Sequence, residues 1–135
     1  MVMDRTYEVF LGGATKPARD TIHVTINNQN VIVMNSNCYR LMGEPAAVRL
    51  AYSREYDRIA LSPCDERLPE AFPVRPKDPK TRRVNAAPFC RHFRIHIDTT
   101  LRFLEPEISL DATLHLDLRK VVNVAQVRGK RKKPA

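Results

Sequence analysis

Five basic side chains, Arg75, Lys77, Lys80, Arg82 and Arg83, fall between positions 75 and 83, with Asp78 as the one acid among them. Guanidinium and ammonium groups at that density suit a polyanion. They offer charge-assisted hydrogen bonds to phosphate oxygens and displace counterions on contact. A second concentration lies in "RGKRKKPA", which holds Arg128, Lys130, Arg131, Lys132 and Lys133 and no acid. With a net charge of +8, from 23 basic and 15 acidic residues, these groups point to nucleic acid as the partner. The two groups differ in kind. Bases between 75 and 83 lead into a turn that can fix their geometry, whereas those of 128–135 act as point charges that add affinity without specificity. Arg40, Arg91 and Arg94 fit the solvated sides of short helices.

Other chemistries are weaker. Cys90, His92 and His96 form C-x-H-x-x-x-H, and all three are zinc-ligand types. Ile95, Ile97, Thr99 and Thr100 pull that stretch towards β structure, and no fourth ligand stands at a standard spacing, so no metal site is assigned. Cys38 and Cys90 near helix starts could be activated thiols, but both share a phase with apolar neighbours, which favours burial. Three cysteines without a C-x-x-C pair argue against a disulfide framework. Glu105 and Glu107 flank Pro106, more like a connector than an acid–base pair. His23 and His115 fall opposite the apolar residues of their strands. With no glycine-rich phosphate loop and no G-x-S-x-G, the reading is of no enzyme, no cofactor and no small-molecule substrate. Apolar runs are too short to span a bilayer, and 1–20 lacks the hydrophobic core of a signal peptide, which predicts a cytoplasmic protein.

The elements that must hold these residues are mostly strands. At 135 residues the chain fits one domain, or two small repeats sharing a core. Residues 1–20 read as an N-terminal arm with one strand-like piece, "TYEVF". Ile22, Val24 and Ile26 then alternate with His23 and Thr25, the period of a half-buried strand. Asn27, Asn28, Gln29 and Asn30 interrupt it, because asparagine tolerates a left-handed backbone, and "VIVM" resumes as a second strand. Asn35 or Ser36 can cap a short helix, "CYRLMG", that Gly43 ends. "VRLAY" and "RIALSP" make a hairpin. Prolines at 63, 69, 73, 76 and 79 mark 64–79 as a connector, with "AFPVR" as an edge strand. The order then recurs in "RRVNAAPFCRHFRI", "TTLRFLE" and "ATLHLDL", with Cys90 matching Cys38.

The first copy resembles the AbrB-like (SpoVT-AbrB) swapped-hairpin family, whose pattern is strand, Gly-Arg turn, strand ending in Ile-Pro, short helix ending in Leu-Gly, and hairpin. Counting back from Gly43, Asn35 takes the proline position, Met34 the isoleucine and Asn30 the turn glycine, while Val31 replaces the arginine. In the second copy Arg82 and Arg83 fall at the turn. The resemblance implies a β-rich α+β barrel of two β-β-α-β-β repeats, 21–63 and 80–121, followed by the basic tail 122–135. It also implies binding of duplex DNA by strand and turn arginines, as a transcriptional regulator or architectural factor, with the two copies that complete a barrel supplied by the tandem chain itself or by assembly as a homodimer or oligomer. The alternative is a protein-interaction or self-assembly module that associates through strand edges.

Overall fold

Two open antiparallel sheets make up the described part of the chain, residues 21–124 of a computed structural model. The first half runs β1 (Val24–Ile26), β2 (Val31–Asn35), α1 (Ser36–Leu41), β3 (Ala47–Ser53) and β4 (Arg58–Cys64). The second runs β5 (Phe72–Pro73), β6 (Arg75–Asp78), β7 (Thr81–Asn85), α2 (Ala87–Phe93), β8 (Leu101–Phe103), β9 (Glu107–Ile108), β10 (Leu114–Asp117) and β11 (Val121–Asn123). Six strands form one sheet in the order β11-β8-β1-β2-β7-β6, and five form the other as β5-β3-β4-β10-β9.

Alternation decides which side chains meet between them. Val24, Ile26, Ile32, Met34, Val84 and Phe103 face inward from the six-stranded sheet, and Val48, Ile59, Leu61, Leu114 and Leu116 from the five-stranded one. The helices add Cys38, Met42, Phe89 and Cys90 to the same cluster. Fully burying a side chain such as Ile26 or Leu116 is worth about 1.5–3 kcal/mol each, so this single core is the main source of stability.

Local chemistry fixes the joints. In the β1–β2 turn the Asn27 side-chain oxygen accepts from the backbone N–H groups of Gln29 (2.9 Å) and Val31 (3.0 Å), and Asn30 takes φ 65°. Asn35 ends β2 and caps α1: its oxygen accepts from Cys38 N (3.1 Å) and His23 N (3.2 Å), and its Nδ2 donates to the Thr21 carbonyl (2.8 Å). The far end of α1 closes as a Schellman motif. Gly43, at φ 85°, donates to the Arg40 carbonyl and Glu44 to that of Tyr39. Pro88 begins α2, and Arg94, left-handed at φ 57°, ends it before His96.

The architecture corrects the sequence-based one. Neither sheet closes into a barrel, and with helices of only six and seven residues the fold is mainly β. The two β-β-α-β-β repeats fail after the helix. β3 and β4 form a hairpin in the five-stranded sheet, but their counterparts separate: β8 pairs with β1 and β11, and β10 with β4 and β9. Pro106 and the added strand β9 stand between β8 and β10. What recurs is shorter. The hairpins β1–β2 and β6–β7, each followed by a helix, flank the antiparallel β2–β7 pair, where Val33 lies opposite Arg83. The proline-rich stretch supplies an edge strand to each sheet, β5 beside β3 and β6 beside β7. The arm 1–20 and residues 125–135, including Arg128, Lys130, Arg131, Lys132 and Lys133, lie outside the described residues.

Candidate nucleic-acid interface

Register across the six-stranded sheet aligns Val122, Arg102, Thr25, Val33, Arg83 and Arg75 in one row, strand by strand. Their neighbours Val121, Phe103, Ile26, Ile32 and Val84 pack with the core, so by alternation this row lies on the outward face. Arg75, Arg83 and Arg102 are exposed, and Thr25, Val33 and Val122 are half-buried between and beside them. Arg75 and Arg83 are direct cross-strand partners, an arrangement of like charges that is destabilising unless an anion relieves it.

The cluster from 75 to 83 does not act as a block. Arg82 and Arg83 are adjacent in sequence and therefore point to opposite faces of β7. Arg82 pairs in register with inward-facing Met34 and is half-buried. Its guanidinium lies 4.8 Å from the centre of the Tyr39 ring and donates to the Thr81 carbonyl (3.1 Å). This side chain braces α1 against β7. Lys77 occupies the irregular position of β6, and Lys80 sits in the β6–β7 turn, where its backbone N–H donates to Asp78 (2.8 Å). That bond is the leading reason the Asp78 carboxyl lies below its ordinary range. Arg102 joins the row from β8, far away in sequence. Leu101 and Phe103 on either side face inward, so its outward direction was legible, but which sheet β8 would enter was not.

Ion pairing separates the two sheets. Six ion pairs form among the described residues: Arg49–Glu70, Arg58–Asp117, Arg67–Asp65, His96–Asp98, Arg119–Asp117 and Lys120–Glu105. None involves a strand of the six-stranded sheet. Arg75, Arg83 and Arg102 thus face solvent without an ion-pair partner among the described residues, whereas Lys77 and the Lys80 backbone N–H both act on the Asp78 carboxylate. On the five-stranded sheet, Arg58, Glu105, Glu107, His115, Asp117 and Lys120 line a cleft of about 30 Å³, room for about one water molecule, and most of its charges neutralise one another. Burial pushes the Asp117 carboxyl up, yet the Arg119 backbone N–H, its guanidinium and Arg58 outweigh that and leave it below its usual value.

Cys90, His92 and His96 do not converge. Cys90 is buried in the core, His92 stands edge-on to Phe93 with ring centres 4.7 Å apart, and His96 pairs with Asp98 at 2.7 Å on the surface. Among the described residues no three His, Cys, Asp or Glu side chains are grouped to hold a metal. Burial pushes the Cys38 thiol up to about 12 and that of Cys90 to about 11, the opposite of an activated thiolate. No described helix is long and apolar enough to cross a membrane.

No protein family, curated protein or solved structure matches this chain.

Proposed function

We propose that this protein binds duplex DNA through the outward face of its six-stranded sheet, as a regulator or architectural factor, with the bases of 128–135 adding non-specific affinity. One observation carries the reading: exposed Arg75, Arg83 and Arg102 share a row on one sheet face, without counter-ions among the described residues, while the strand cations of the other sheet are paired. Phosphates would supply the missing anions and remove the repulsion between Arg75 and Arg83. Association through strand edges is less favoured. Pro73 lies in β5, Pro76 in β6 and Pro106 just before β9, and proline blunts an edge for pairing with another chain.

Fluorescence anisotropy with labelled duplexes at two salt concentrations tests the proposal. The full chain should bind at low salt and weaken steeply as salt rises. Deleting residues 128–135 should lower affinity for every duplex by a similar factor. Arg75→Ala with Arg83→Ala should weaken binding further in that shortened chain, and no binding to any duplex at low salt would end the proposal.

A further inference from the structure

Resting on that reading, we infer that Arg83 with Arg75 on one side and Arg102 on the other contact phosphates of opposite strands of a duplex, and that the protein holds the duplex by shape rather than base sequence. Arg83 lies on β7 and Arg102 on β8, with β2 and β1 between them. Three strand spacings separate the two backbones by about 14 Å. Between them stand Val33 and Thr25, joined on the same face by Val31.

That floor decides between two ways of placing phosphates. If both arginines followed one strand, the phosphates between them would lie against valine methyl groups with almost no donors, at a desolvation cost. If the arginines bracket a groove, about 6 Å wide for the minor and about 12 Å for the major groove of B-DNA, the floor instead covers the less polar sugar and base edges. Apart from exposed His23, which lies on the same face beside Thr25, the floor is also poor in groups that read bases. Asn35 spends its oxygen on His23 N and Cys38 N and its amide nitrogen on Thr21, and the Asn85 oxygen accepts from Ala87 N. The row carries no aromatic side chain on which unpaired bases could stack, which disfavours single strands.

The test compares the full chain and its Arg83→Ala, Arg102→Ala and Arg49→Ala variants. Ligands are duplexes of unrelated sequence, one of those duplexes with methylphosphonate linkages throughout one strand, and a single strand with as many phosphates as the intact duplex. The full chain should bind the unrelated duplexes with affinities within about twofold, and the single strand more weakly. Arg83→Ala and Arg102→Ala should each reduce the salt slope on the intact duplex by about one. Arg49→Ala, on the other sheet, should leave it unchanged. On the half-neutralised duplex the full chain should lose affinity, because either orientation places one side of the row against uncharged linkages. Full affinity for that duplex, equal affinity for the single strand, or an unchanged slope in Arg102→Ala would overturn the bracketing geometry while leaving DNA binding intact. A large preference among the unrelated duplexes would overturn shape reading. Failure to bind any nucleic acid would overturn the parent reading as well.

Discussion

Asn30 holds φ 65° at the end of the β1–β2 turn, and its side-chain oxygen is buried with no hydrogen-bond partner among the described residues. Asn30→Gly keeps the backbone and removes the orphaned oxygen, so thermal melts should show it neutral or mildly stabilised. Asn30→Val places a β-branched side chain in the left-handed region and should cost about 1–2 kcal/mol in denaturant titrations. Asp117 makes a separate prediction. Its folded carboxyl lies below the unfolded-chain value of about 3.9, so its stabilisation is full above that pH and fades as pH falls through the folded value. The difference in melting temperature between the parent and Asp117→Asn should therefore be widest near neutrality and should close in acid. Alkylation of the native protein should label half-exposed Cys64 first, and reach Cys38 and Cys90 only on unfolding.

At the level of elements, α1 shows how few residues set a helix of six. Asn35 opens it and Gly43 closes it, and a side chain at Gly43 would meet open space but a strained backbone. Gly43→Ala should consequently destabilise by about 1 kcal/mol, read as a lowered denaturant midpoint, without a change in the packing of Met42. These local signals were legible in the sequence because each lies within a few residues of its effect: the turn at Asn27–Asn30, the cap at Asn35, the end at Gly43, the proline at the start of α2. Pairing between distant strands was not. "TTLRFLE" and "ATLHLDL" alternate as well as any hairpin, yet nothing local indicates that β8 enters one sheet and β10 the other. The same gap bears on the candidate site. Composition singled out Arg82, which the pleat turns inward onto Tyr39, and passed over Arg102, which only tertiary pairing brings into the row.

Local hairpins are joined into the whole molecule by pairings between distant parts of the chain: Thr25 lies opposite Arg102, and Leu61 opposite Leu114. Such pairings must overcome loop-closure entropy before they return any stabilisation, so refolding should be slow, in milliseconds to seconds, when followed by stopped-flow fluorescence of an extrinsic dye. The position of β8 between β1 and β11 also has a consequence for synthesis. A ribosome adding about 5–20 residues per second would deliver β8 some 4–15 s after β1. Until then Val24, Ile26 and Leu61 have no completed core to enter, and the edge of β1 stays open to other nascent chains. Chains arrested before Leu101 should accordingly bind holding chaperones and hydrophobic dyes, and release them once β8 to β11 have emerged.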